Sequence, residues 1–263
     1  MKTLIVEKIN HRYKRLTNTA QNSGLSNCID HIVNSVAGMS RVSVDTEQHL
    51  VSYLTTFKPD KVIIEALWVT ESFAEKLVKS FPKIKFFVHI HSNIPFLVAE
   101  GFAFQLIDSY SRQGIGIIWN SREAHSAFEN RNNHFYLPNI YTCDVYEQLK
   151  KEDEYLDIGC HGSLRQMKNQ VIQAISAIKY ADSVGKKLRF YMNLNRSECG
   201  GDAVKATLKS IFDINKNHQL INDGWLNQKD FIQRCRQLDL GMQVSLSETF
   251  NLVSADYVSA GIS

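Results

Sequence analysis

Short apolar runs rich in β-branched and aromatic residues alternate along the chain with helix-length segments in which apolar residues recur at helical spacing. In the first half, the runs at residues 3–6, 61–64, 85–89, 115–119 and 134–137 predict strands. Between them, residues 46–56 place Leu50, Val51 and Leu54 at helical spacing, and residues 71–80 predict a helix ended by Pro82. The mostly apolar stretch 95–111 predicts one well-buried helix. In the second half, strands are predicted at 156–160, 188–193, 219–222 and 240–244, and helices at 169–181, 203–212, 228–237 and 252–260. This alternation calls for parallel sheets with helices on both faces, so the class is α/β.

The charged, apolar-poor stretch 148–154 reads as a linker. It divides the chain into an N-terminal Rossmann-like domain, residues 1–147, and a C-terminal one, residues 148–263. Two such halves facing each other across a cleft are favoured over one doubly wound sheet, which all these strands would stretch to the usual limit of about ten. The ending Ala260-Gly261-Ile262-Ser263 reads as a helix leaving through a glycine C-cap toward another strand, so the C-terminal domain is expected to lack its usual last strands or to be part of a longer chain. No repeat of fixed period is present, which argues against a solenoid.

Composition narrows the function classes. With 263 residues, 44% hydrophobic and 22% charged, the chain has enough apolar mass for two medium domains and is not of disordered type. It holds no run of eighteen apolar residues and no signal-peptide core at its start, so a soluble, cytoplasmic protein without integral membrane association is expected. Cys28, Cys143, Cys160, Cys199 and Cys235 are scattered singly, which predicts reduced, buried thiols and neither a disulfide framework nor a zinc site. A formal charge of +3 is too small to predict stable nucleic-acid binding, yet it suits an anionic ligand.

Open α/β sheets bind ligands at the carboxyl ends of their strands, where helix N-termini present free N–H groups to anions. Gly162-Ser163-Leu164-Arg165-Gln166-Met167-Lys168-Asn169 follows one predicted strand and precedes a helix. Gly162 permits a tight turn, and Arg165 and Lys168 place two cations beside the helix start, which suits a diphosphate; the competing reading is a solvated basic loop. Ser245-Leu246-Ser247-Glu248-Thr249-Phe250-Asn251 follows another strand, with Glu248 in the loop and Asp256 about two turns into the next helix. Carboxylates so placed can grip sugar and ribose hydroxyls, although an N-cap serine with an acidic first turn has the same pattern. The third place is His89-Ile90-His91-Ser92. Two histidines spaced by one are half a metal site, but no companion cluster with ligand spacing follows, so no metal is expected there.

The first two segments together resemble the retaining GT-B glycosyltransferases, the family that includes glycogen and sucrose synthases and many cell-envelope mannosyl- and glucosyltransferases. In that family Gly-Arg-Leu, followed three residues later by Lys-Asn, opens the nucleotide-binding domain, and two Glu separated by seven residues close the donor site. Gly162, Leu164, Lys168 and Asn169 match the first pattern, and Glu248 and Asp256 the second. Trp119-Asn120-Ser121 and Leu137-Pro138-Asn139 resemble the family's strand ending in Ser and its Pro-Asn turn.

The resemblance implies a GT-B fold and a metal-independent hexosyltransferase. It would move a sugar from a nucleoside diphosphate sugar to an unidentified acceptor, with retention of anomeric configuration and no separate cofactor. Lys168 would neutralise the diphosphate, Glu248 would bind the transferred sugar, and Asp256 would hold the ribose. Gly162, Ser163, Arg165 and the amides of Thr249, Phe250, Asn251 and Leu252 would complete the donor site. His91, in the region similar to the acceptor-domain histidine, would join Glu248 and Lys168 as a catalytic residue.

The sequence departs from the family pattern in three ways. Ser163 replaces the usual Arg, so Arg165 would supply that charge, and Asp256 is a methylene shorter than Glu. The glycine-rich turn after the first strand is replaced by the polar, basic residues 7–18 with Lys8, His11, Arg12, Lys14 and Arg15, read as a solvated loop. Two other functions stay open: a catalytically silent nucleotide-sugar-binding protein and a nucleotide-sugar epimerase.

Overall fold

A computed structural model of the protein describes residues 1–9, 24–99, 101–142, 144–149 and 153–262. Of the residues singled out above, His11, Arg12, Lys14, Arg15, Cys143 and Ser263 lie outside these ranges. The chain divides into two compact units, Met1–Tyr141 and Thr142–Ser263. The division precedes the charged stretch because Tyr146 donates its N–H to the Ser259 carbonyl at 2.7 Å and Leu149 to that of Arg236 at 2.7 Å, which ties both to the second unit.

The first unit runs β1 (Thr3–Lys8), α1 (Gly24–Ser35), β2 (Met39–Val44), α2 (Glu47–Phe57), β3 (Lys61–Glu65), α3 (Glu71–Ser80) and β4 (Lys85–Ile90). It continues through α4 (Ile94–Ala99), α5 (Ala103–Arg112), β5 (Gly116–Trp119), α6 (Arg122–Ser126) and β6 (His134–Tyr136). Its parallel sheet has the order β2-β1-β3-β4-β5-β6. Successive strand residues enter opposite cores, as the pleat dictates. Leu4, Val6, Val62, Ile64, Ile117 and Trp119 pack on one face with Leu50, Leu54, Leu77 and Tyr110, while Ile5, Ile63 and Ile118 meet Ile29 and Ile32 of α1 on the other. Thr46 and Thr70 cap α2 and α3, accepting from the N–H groups of His49 and Phe73.

Several features depart from the sequence reading. The stretch 95–111 forms two helices, because the chain turns through Gly101 at a φ of 73°. Helix α1 and strand β2 were not predicted: β2 lies at the sheet edge, and its Ser40, Arg41 and Ser43 break the apolar run that marks a buried strand. The strand expected at 240–244 ends at Gly241, beyond which the backbone bonds to another loop.

The second unit runs β7 (Tyr155–Gly159), a 3-10 turn (Gln166–Lys168), α7 (Gln170–Ser183), β8 (Lys187–Met192) and α8 (Gly201–Ile214). It continues through β9 (Gln219–Asn222), α9 (Gln228–Cys235), β10 (Leu240–Gly241) and α10 (Leu252–Ser259). Its parallel sheet has the order β10-β7-β8-β9. One core joins Ile158, Leu188, Phe190 and Met192 to Ala174, Ala177, Leu208 and Phe212 of α7 and α8. The other joins Tyr191 to Ile232, Cys235 and Tyr257 of α9 and α10. Strand order reverses between β1 and β3 in one sheet and between β7 and β10 in the other, and crevices for ligands open at such points.

Among the described cysteines, Cys28, Cys160 and Cys235 are buried as expected, but Cys199 is exposed. Burial pushes the Cys160 thiol up to about 12, which removes it as a nucleophile at neutral pH. No helix among the described residues is long and apolar enough to cross a membrane.

Candidate functional site

The candidate donor loops leave the sheet at the carboxyl ends of β7 and β10, the two strands flanking the reversal. After β7, Gly162 adopts a φ of 106°, which a side chain would disfavour, and its N–H donates to Asn193 Oδ1 at 2.7 Å. The loop then lies beside residues 196–198, with Leu164 N–H donating to Arg196 O at 2.8 Å and Glu198 N–H to Leu164 O at 2.9 Å. Lys168 ends the 3-10 turn, and Asn169, at a φ of 56°, leads into α7. The Asn169 side chain does not cap that helix; its Nδ2 donates instead to the Val244 carbonyl at 3.2 Å.

The loop after β10 is fastened to this first loop. Val244 N–H donates to Gln173 Oε1 at 2.9 Å, and Leu246 N–H donates to Met167 O at 2.8 Å. The Gln173 amide in turn donates to Lys168 O at 2.7 Å. Through this framework Lys168 Nζ donates to Glu248 Oε1 and forms an ion pair, although the two residues lie eighty positions apart. Ser245 Oγ and Ser247 Oγ are buried in the same loop without a hydrogen-bond partner among the described residues. Asn251 caps α10 by accepting from Ser254 N–H at 3.2 Å, and its Nδ2 donates to Gln243 Oε1 at 3.0 Å. Thr249, Phe250 and Leu252, between or beside these groups, are partly exposed.

The other sequence candidates have different surroundings. Arg165 pairs with Glu198, Nε to Oε2 at 2.8 Å, and Arg196 pairs with the other oxygen at 2.7 Å. Ser163 Oγ also donates to Glu198, at 3.3 Å. Burial opposes ionisation of Glu198, but the two guanidiniums outweigh it and hold the carboxyl below its usual range. Two arginines on one carboxylate leave one formal positive charge beside Ser163. Asp256, 5% exposed, accepts from Gln228 Nε2 at 3.0 Å.

His161, which follows β7 directly, was not singled out from the sequence. Its Nε2 lies 2.9 Å from Asp223 Oδ2, and Asp223 also accepts from Arg234 Nε at 3.1 Å. The remaining nitrogen, Nδ1, accepts from the Tyr257 hydroxyl at 2.7 Å, while that hydroxyl accepts from His161 N–H at 3.1 Å. Burial lowers the His161 pKa despite Asp223, so the neutral ring links the end of β7 to α10 through Nδ1 and to the loop after β9 through Nε2. A histidine between an apolar strand and a Gly-Ser turn was the available signal.

In the first unit, His89 and His91 do have a companion. Glu65 ends β3 in register with His89 of β4, and its Oε2 lies 3.2 Å from His89 Nδ1 and in hydrogen-bond contact with His91 Nε2. No companion with ligand spacing follows the histidines in the sequence; parallel pairing of β3 with β4 supplies Glu65 from a distant point of the chain. Burial works against the Glu65 charge, but the two imidazoles outweigh it and hold its carboxyl down to about 2. His91 lines a cavity of about 310 Å³ together with Trp68, Ser92, Leu97 and Phe102.

Neither a protein-family model nor a curated protein matches the sequence. Among solved structures, a mutant of S. aureus TarM in complex with Fondaparinux, alpha-GlcNAc-glycerol and UDP is similar over 82% of this chain and 43% of its own, with 13% identity and a TM-score of 0.54. The chain thus spans less than half the length of TarM. UDP-GlcNAc 2-epimerase from Neisseria meningitidis matches over 92% of this chain and 76% of its own, with 10% identity and a TM-score of 0.49. Acinetobacter baumannii MurG matches over 92% and 71%, with 11% identity and a TM-score of 0.45. The fold, two parallel Rossmann-like α/β units in series, is of GT-B type, and at such identities the likeness is one of fold alone.

Proposed function

We propose that the second unit binds a nucleoside diphosphate sugar at the ends of β7 and β10, and that the protein transfers the sugar to an acceptor with retention of configuration. The observation that carries this reading is the fastening of two motif loops at the strand-order reversal, with Lys168 against Glu248. Departure of a nucleoside diphosphate from an oxocarbenium-like sugar builds negative charge on the leaving oxygen, and fixed positive groups lower that barrier. Lys168 and the uncapped start of α7 are suited to the diphosphate, the Arg165–Arg196–Glu198 cluster adds one positive charge, and Glu248 is suited to sugar hydroxyls. The hydroxyls of Ser245 and Ser247, buried without a hydrogen-bond partner among the described residues, lie in the same loop. Asp256 is proposed as the ribose-binding carboxylate. The UDP in the TarM complex supports the choice of ligand class.

A catalytically silent nucleotide-sugar-binding protein is the second reading, favoured by the engagement of Arg165 with Glu198. A thermal-shift panel of UDP, GDP, ADP and their sugars, followed by donor-hydrolysis assays, tests both. One nucleotide family should raise the melting temperature by a few degrees, because it binds the native state alone. Lys168→Ala should weaken that binding about tenfold to a hundredfold, the loss of one charge-assisted hydrogen bond of about 1.5–3 kcal/mol. Binding without turnover would favour the silent protein, and no shift with any nucleotide would overturn both readings.

A further inference from the structure

Glu65, His89 and His91 lie at the carboxyl ends of β3 and β4 in the first unit, and their ligand-bearing atoms all fall within 4.8 Å of one another. Glu65 and His89 are 1% and 0% exposed. His89 Nε2 is 3.3 Å from the Leu137 carbonyl oxygen. A carbonyl only accepts, so that nitrogen carries a proton and Nδ1 is the nitrogen directed at the carboxylate. Nδ1 faces Glu65 Oε2 at 3.2 Å in a place closed to water and makes no hydrogen bond among the described residues. Glu65 Oε1, equally buried, also accepts no hydrogen bond among the described residues. A ring N–H fixed on a backbone carbonyl is how surrounding groups orient a metal-binding histidine, whose opposite nitrogen is then free to face the ion.

We propose that Glu65, His89 and His91 bind a divalent first-row transition-metal ion of the zinc class. A cation among them would give both His89 Nδ1 and the second Glu65 oxygen, buried without hydrogen-bond partners among the described residues, a partner. Two imidazole nitrogens and one carboxylate suit zinc or cobalt, whereas magnesium and calcium favour sites built from oxygen. Three protein ligands leave a coordination position for water or a substrate oxygen. His91 gives the site its access, since it also lines the cavity with Trp68 and Ser92. The site is independent of the nucleotide reading, which concerns the second unit.

The test uses the full chain, stripped with a chelator and titrated with cobalt(II). Visible d–d absorption is followed, and metal content is measured after gel filtration with zinc. Wild type should take up one ion per chain, show a cobalt band that zinc displaces, and melt at a higher temperature with zinc. Glu65→Gln and His91→Asn should each lose the band and the zinc-dependent shift. His91→Asn, altered at the partly exposed member of the cluster, should melt with the stripped wild type, which separates lost binding from lost fold. The proposal is overturned if stripped wild type binds no ion stoichiometrically, or if Glu65→Gln binds it as tightly as wild type.

Discussion

At the scale of single residues, the ends of the sheets hold polar side chains whose positions depend on partners far away in sequence. His161 is the clearest case, with Tyr257 on one nitrogen and Asp223 on the other. Burial lowers its folded pKa below the ordinary 6.5. Unfolding therefore takes up a proton once the pH falls below about 6.5, and the stability from the neutral ring is present above that value and lost below it. Asp223 has the same sign at lower pH: burial opposes its charge, but His161 and Arg234 hold its pKa below 3.8, so its contribution is lost as the pH falls through the folded value. Thermal midpoints between about pH 7.5 and 5.5 should fall more steeply for wild type than for His161→Gln. Equal slopes for the two proteins would contradict this account of His161.

Lys168 and Glu248 could be singled out in the sequence because each belongs to a spaced motif. Glu65 could not, because it is one glutamate at the end of an apolar run and only the pairing of β3 with β4 brings it to His89. The Arg165–Glu198 pair escaped for a related reason. Glu198 lies in a loop after β8, and nothing in residue order says that this loop runs beside residues 162–165.

At the scale of elements, the seating of α10 fixes the second candidate loop. Tyr257 of α10 packs so closely over the sheet that a Cβ on Gly241 would come within 2.2 Å of its ring, and one on Gly159 within 2.8 Å of its hydroxyl. Gly241→Ala must therefore displace Tyr257 and with it the start of α10. A cost of about 1–3 kcal/mol is expected, read as a lower denaturation midpoint with unchanged slope in urea. A neutral substitution would mean that α10 is not seated this tightly. The runs that became β3, β4, β5, β7 and β8 were legible because interior strands covered on both faces are largely apolar. Edge strand β2 and the break at Gly101 were not, since an exposed edge tolerates polar residues and one glycine inside an apolar stretch does not announce a turn.

At the scale of the whole molecule, both units obey one rule. Helices cover each parallel sheet on both faces, and the polar clusters collect at the carboxyl ends of the strands. In the second unit the cluster holds Lys168 and Glu248 at the reversal of strand order, and in the first it holds Glu65, His89 and His91 at the ends of β3 and β4. The chemistry differs with the residues, cationic in one and imidazole-rich in the other, although the two sheets are built alike. The alternation of elements made the α/β class readable from sequence, while the order of strands, and hence the place of each reversal, came only with the structure.

Hydrogen–deuterium exchange of the full chain, with and without the nucleotide sugar that stabilises it most, tests the central claim most directly. Slowed exchange is predicted at residues 162–170 and 244–252, and Lys168→Ala should abolish it at the same ligand concentration. Protection at saturation that spares both loops would contradict the placement of the donor at the ends of β7 and β10.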